Sequence, residues 1–304
     1  MKVGLVLPTV GGSEASPLLR YAEVRELALQ AEDAGFDALW VPDHLMQGGT
    51  WECWSVLAAL AEATNRIEIG PWVRCAHFNN PAILAKMAVA VDELSGGRLI
   101  LGLGAGWHRP EFDAFGVPWE RRVDRFEEAL QIIVPLLREG KVSFQGTHYR
   151  AVDCEIFPRG PRPGGPPIFI GAAGPRMMRL AARYADMWAY GYREKPVSTR
   201  SEMLAGLDTA CQEVGRDIGT IEVQEGFAVA YPDLGPVPEG WETAAKGQGQ
   251  IAAELHRLEA LGVHHAVCLF APPSPASLTR LTEELHAYRG RSIRSTSKTA
   301  PASH

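Results

Sequence analysis

The chain has 304 residues, 46% hydrophobic and 22% charged, which excludes a disordered or fibrous protein and fits a folded globular one. Its formal net charge is −6 and it has no basic run, which argues against nucleic acid and anionic membrane surfaces as partners. Five cysteines lie scattered without a Cys-x-x-Cys pair, so free thiols in a reducing cytoplasm are expected rather than a disulfide framework or a zinc centre.

The opening run MKVGLVLPTVGG is too short for a signal peptide, and no later segment has the length and apolarity to span a bilayer, so a cytoplasmic location is expected. Lys2–Leu7 reads as a first strand ended by Pro8. Apolar residues at Val24, Leu27, Ala28, Ala31 and Ala34 form a helical stripe over Tyr21–Ala34, which Gly35 closes. Phe36–Val41 is the second strand, Trp51–Ala63 the second helix, Arg66–Val73 the third strand and Pro81–Leu94 the third helix. Apolar strands with short connections read as a parallel sheet wrapped by helices.

Strand four, Arg98–Leu103, leaves through glycines 102, 104 and 106 in the stretch GGRLILGLGAGWHRPEFDAFGVPWE. Bare backbone there suggests a ligand lying against main chain; a connector without function is the alternative. His108–Trp119 reads as a loop, and Trp107 stands where a dinucleotide fingerprint needs its third glycine, so that fingerprint is excluded.

Helix Arg121–Glu139 follows. Lys141–Pro167 breaks the rhythm with a small hairpin and a proline-stiffened return at the rim. Strands are then expected at Ile168–Ile170, Ala185–Tyr190, Ile221–Ala230 and Val263–Phe270. Helices are expected at Arg176–Tyr184, Thr199–Val214, Gln248–Leu261 and Leu278–Tyr288, and Arg289–His304 as a disordered tail. Eight strands alternating with eight helices count out an α/β chain folded as a single (β/α)8 TIM barrel over residues 1–288, with a hairpin and proline-rich insertion before strand five. An open doubly wound sheet normally stops at fewer strands.

Active sites of such barrels sit on the C-terminal ends of the strands. Residues there include Asp43 and His44, Trp72 to His77, Ala105 to Arg109, Gly171 to Gly174, Tyr190 and Tyr192, with Gln224 and Glu225 within strand seven. Gly171-Ala172-Ala173-Gly174-Pro175 leaves backbone N–H groups bare before a helix, a phosphate-binding arrangement, against the alternative of a plain tight turn. Asp43-His44 is a candidate proton-handling pair, against the alternative of a loop anchor beside a packed ring. His77, His108, His264 and His265 are weaker candidates. The chain lacks a His-x-His pair at an early strand end, and the candidate lysines Lys86, Lys141, Lys195 and Lys246 read as lying on helices or loops, so a metal-dependent hydrolase and a Schiff-base enzyme are both disfavoured, and no metal is expected.

The segments FDALWVPDHL (36–45), RIEIGPWV and NNPAILAKMAVAVDELSGGRLILGLGAGW (within 66–107), EFDAFGVPWERRVDRFEEAL (111–130) and PPIFIGAAGPRMMRLAARYADMW (166–188) resemble the bacterial luciferase-like flavin and deazaflavin oxidoreductases. The similarity covers Val3 to Tyr288, and its form is closer to the branch that uses coenzyme F420 than to the one that uses reduced FMN. The resemblance implies an oxidoreductase that moves a hydride between deazaflavin C5 and a small apolar substrate. A reduced-FMN monooxygenase with a partner reductase is the alternative, and a non-catalytic flavin-binding barrel a third. It implies that Asp43 and His44 lie beside the ring, with His44 as proton donor or stabiliser, and that Trp72-Val73 forms a bulge, often a cis peptide, behind it. Ala105, Gly106 and Trp107 would line the ring edge, and Gly171, Ala172, Ala173 and Gly174 would hold the phosphate. Trp107 replaces the acid of the sugar-phosphate dehydrogenases, which makes glucose 6-phosphate a poor substrate. Family members commonly form homodimers.

Overall fold

In the computed structural model, which describes residues 1–13, 16–46, 48–189, 199–241 and 249–290, strands and helices alternate along the chain. The barrel strands are β1 (Lys2–Val6), β2 (Ala38–Val41), β3 (Glu68–Pro71), β4 (Leu101–Gly104), β5 (Ile168–Gly171), β6 (Met187–Ala189), β7 (Glu222–Ala230) and β8 (His265–Ala271). Between them run α1 (Tyr21–Ala34), α2 (Cys53–Ala63), α3 (Pro81–Leu94), α4 (Arg122–Arg138), α5 (Pro175–Tyr184), α6 (Arg200–Val214), α7 (Gln250–Ala260) and, last, α8 (Pro275–Tyr288).

Local chemistry sets several of these ends. Gly35 takes φ 87° after α1, and its N–H returns to Ala31 and Glu32 carbonyls. Asn80 caps α3 by accepting from the Ala82 and Ile83 N–H groups, with Pro81 in the first turn.

All pairings within the barrel are parallel, in the order β3-β2-β1-β8-β7-β6-β5-β4. The seam closes because Ile69 bridges to Leu99, and Arg74–Cys75, a continuation of β3, pairs with Leu103 and Gly104. The TIM-barrel expectation holds. The hairpin before β5 is also present, Lys141–Gln145 pairing antiparallel with Arg150–Glu155.

The core has two layers. One lies between strands and helices; the other fills the barrel, with Val6, Ala38, Trp40, Ile100, Phe169, Met187, Ala189 and Val267. Trp40 meets Phe169 edge-on at 5.6 Å between ring centroids. Gly4 and Gly70 make room for it, since a Cβ at either would come within 3 Å of the indole. Nearer the C-terminal mouth, Trp72, Val73, Gly226, Ala228 and Leu269 are only half-buried. The lower barrel is therefore plugged, and the upper end holds the accessible apolar floor.

Two expectations need correction. Strand three does not run unbroken from Arg66 to Val73: it stops at Pro71, passes through a cis Trp72–Val73 peptide, and resumes at Arg74. The stretch read as a loop after β4 contains a short helix, Arg109–Ala114, seated by the buried Phe112. At glycines 102, 104 and 106 packing accounts for the missing side chain, because their Cβ directions point at Pro71, at Val73, and at Phe112 with Cys75. Tyr190, Tyr192 and residues 291–304 of the expected tail lie outside the described residues, whereas Arg289 donates to Asp37 at 2.5 Å. Among the described residues, no helix is long and apolar enough to cross a membrane.

The β3–β4 seam gives a stability test. A Cβ at Gly102 would lie 2.1 Å from the Pro71 carbonyl oxygen. Gly102→Ala is expected to destabilise the fold by about 1–3 kcal/mol, the ordinary range for overpacking. Urea unfolding checks it, and an unchanged midpoint would show that the seam yields.

Candidate active site

The mouth of the barrel is built around a buried ion pair. Asp43 follows β2, and its fully enclosed carboxylate accepts from Arg74 Nη1 at 2.6 Å and from the Cys75 N–H at 2.8 Å. Arg74 also donates to Glu52 at 3.1 Å and to Asn79 at 2.5 Å. Glu52 in turn caps α2 by accepting from the Trp54 and Ser55 N–H groups. One guanidinium thus joins the end of β2, the start of α2 and the approach to α3. Burial raises the pKa of the Asp43 carboxyl above its ordinary value, opposed by the Arg74 charge and the Cys75 N–H.

This clamp holds the residue after the cis Trp72–Val73 peptide. Trp72 Nε1 donates to Gln224 Oε1 at 2.6 Å, which fixes the indole across the barrel. Val73 sits over β4 and β5, where a Cβ at Gly104 or Gly171 would lie 2.8 or 3.1 Å from its Cγ2. The proton-handling role expected of Asp43 does not fit: its carboxylate is enclosed and its oxygens are engaged. Asp43 anchors the bulge instead.

His44 is partly exposed, and its Nδ1 lies 3.2 and 3.3 Å from the two Glu111 oxygens. Glu111, on the short helix after β4, also accepts from the Leu45 and Met46 N–H groups at 2.7 and 3.1 Å. The sequence reading missed Glu111, which lies 67 positions away from its partner. The one hint was a carboxylate between Pro110 and the apolar Phe112. Trp107 is 64% exposed and stands edge-on to His44 at 5.6 Å between centroids. Ala105 is buried, and Gly106 (φ 71°) offers its carbonyl to Arg122, which lies over the Trp119 ring.

Beyond β5, Ala172 is buried, its N–H donating to the Ala189 carbonyl and its own carbonyl accepting from Trp188 Nε1. Ala173 is exposed. Gly174 takes φ 97° as the N-cap of α5, without any side-chain cap and with open space where a Cβ would point. The first N–H groups of that helix are free to meet an anion. His264 and His265 lie at the opposite end, where His264 Nδ1 accepts from the Val223 N–H and His265 Nε2 faces Glu222. Among the described residues, no three His, Cys, Asp or Glu side chains gather as a metal site.

The family profile for luciferase-like monooxygenases matches residues 1–233. The chain belongs to that family. It is 32% identical over 266 residues to an F420-dependent hydroxymycolic acid dehydrogenase of Mycobacterium tuberculosis, covering 84% of this chain and 67% of that one. It is 36% identical over 175 residues to a 5,10-methylenetetrahydromethanopterin reductase of Archaeoglobus fulgidus, covering 58% and 51%. The chain spans about half the length of several of the curated relatives it matches. An F420-dependent secondary alcohol dehydrogenase, solved with an F420–acetone adduct, shares the fold with a TM-score of 0.75 at 20% identity, over 95% of this chain and 99% of that one. A monooxygenase from Streptomyces bottropensis does so with a TM-score of 0.77 at 21% identity, over 95% and 100%.

Two outcomes follow for the luciferase-like barrel. Asp43→Ala leaves the Arg74 charge buried without its partner and is expected to cost about 3–5 kcal/mol by chemical unfolding. A loss below 1 kcal/mol would show that Glu52 and Asn79 suffice. His77, buried against Phe112 at the end of the bulge, has its pKa pushed down by burial to about 4. The unfolded chain, with an ordinary imidazole near 6.5, binds the extra proton in that window, so acidification from 6.5 towards 4 removes stability, on the order of 3 kcal/mol for this group. His77→Gln should flatten that part of the curve of unfolding free energy against pH; an unaltered slope would assign it to other groups.

Proposed function

We propose that this chain is an F420-dependent oxidoreductase that moves a hydride between the deazaflavin C5 and a small, apolar organic substrate. The observation that carries the reading is His44: Nδ1 faces Glu111, while Nε2 has no hydrogen-bond partner among the described residues and belongs to a partly exposed ring at the barrel mouth. The F420 dependence named for the Mycobacterium tuberculosis relative, which is aligned over 84% of this chain, supports it.

The residues present fit such a cofactor. Trp72 and Val73 offer a half-buried apolar floor for a planar ring, and the uncapped start of α5, after Gly171–Gly174, suits a phosphate. Bound F420 supplies the hydride-transfer chemistry. His44 holds or gives a proton at the substrate's heteroatom, while Trp107 and its neighbours Ala105 and Gly106 edge the pocket. The protein's part is orientation and exclusion of water. A cytoplasmic homodimer is included in the proposal, with the exposed Ile83 and Leu94 on α3 supplying apolar surface for a second copy.

Titration with oxidised F420, and separately with FMN, tests the reading through tryptophan fluorescence. Micromolar F420 affinity with quenching of Trp72 and Trp107, and much weaker FMN affinity, is the expected result. The reverse order, with oxygen-dependent turnover in the presence of a flavin reductase, would replace the hydride-transfer reading with a reduced-FMN monooxygenase. His44→Ala is expected to keep F420 binding within a few-fold and to lower turnover about 10²–10⁴-fold, the range for loss of an acid–base group. Undiminished turnover would remove His44 from the chemistry.

A further inference from the structure

We infer that Glu111 is a positioning residue that sets the tautomer of His44, keeping a proton on Nδ1 and turning the Nε2 lone pair to the substrate. The inference rests on the reading of His44 as the proton-handling group. The carboxylate beside His44 in sequence, Asp43, is unavailable, because its oxygens are engaged by Arg74 and the Cys75 N–H. The carboxylate beside it in space is Glu111, 2% exposed and held by the Leu45 and Met46 N–H groups.

Backbone N–H groups can only donate, and both donate to Oε1 of Glu111, which fixes that oxygen as an acceptor. An acceptor at 3.2 Å from His44 Nδ1 requires the hydrogen to sit on that nitrogen. The same two N–H groups belong to the two residues that follow His44 in sequence, so Glu111 sets both the loop that carries the imidazole and the face the imidazole shows. In the substrate-oxidising direction, Nε2 would take the proton as the substrate's heteroatom–hydrogen bond breaks, and bound F420 would supply the acceptor for the hydride that leaves the substrate carbon. The imidazolium that results keeps its Nδ1–H against Glu111. The reverse direction returns the proton from Nε2.

The test reads the protein alone. Two-bond proton–nitrogen spectra of histidine-labelled apo protein at about pH 9, above the ordinary imidazole range, report the tautomer of each ring, and His44→Ala identifies the signal. The expected wild-type result is a neutral ring protonated on Nδ1. In Glu111→Gln the amide oxygen must serve the Leu45 and Met46 N–H groups, so the NH2 turns to Nδ1, donates to it, and moves the ring's hydrogen to Nε2. A proton on Nε2 in the wild-type protein, or an unmoved Nδ1–H in folded Glu111→Gln, overturns the inference. Where Glu111→Gln fails to fold, the wild-type spectrum decides alone. With the cofactor present, the Gln variant should bind F420 within about twofold and lose 10²–10⁴-fold in kcat, as a wrong tautomer does. Failure of the F420 titration with the expected tautomers would count against the cofactor and not against Glu111.

Discussion

The Asp43–Arg74 ion pair is the constraint on which the mouth of this barrel depends. A buried charge pair is a weak source of net stability, since desolvation offsets much of the attraction, but breaking it is costly. Its value here is geometric. Arg74 reaches three acceptors on three different elements, and Asp43 binds the backbone just past the bulge. The bulge, in turn, projects Val73 onto β4 and β5 and Trp72 toward β7. Without the pair, β2, the bulge and the start of α2 would still meet at the Val41 carbonyl, which accepts from the Trp72 N–H and from Cys53 Sγ, but Arg74 would no longer join Glu52 and Asn79 to the end of β2.

A second constraint is the division of labour between two adjacent residues. Asp43 points into the protein and His44 towards the opening, as expected of neighbours leaving the end of a strand. The sequence makes them look like a pair; the structure gives each a different partner, Arg74 for one and Glu111 for the other. The helix Arg109–Ala114 exists to deliver Glu111, with Phe112 locking it against His77, Phe78 and Trp119.

Much of this was legible in the chain. The extents of α1 and α3 followed from an apolar stripe closed by Gly35 and from a helix opening at Pro81, and the barrel followed from counting. The Trp72–Val73 bulge came from resemblance to a family, not from composition, because nothing in a local hydrophobic pattern encodes a peptide isomer. The packing role of glycines 102, 104 and 106 was not legible, because sequence shows that a Cβ is missing but not what occupies its place; here the occupants are Pro71, Val73 and Phe112. Glu111 was invisible for the same reason that any long-range contact is: no periodicity relates positions 44 and 111.

The plug of Trp40 and Phe169 has a consequence for traffic. Because the inner side chains fill the lower barrel, its axis offers no through-passage, and the half-buried Trp72 and Val73 are reached from the C-terminal mouth. On the proposed F420 reading, whatever rests against Trp72 and Val73 would have to enter and leave by that mouth, so cofactor and substrate would share one route.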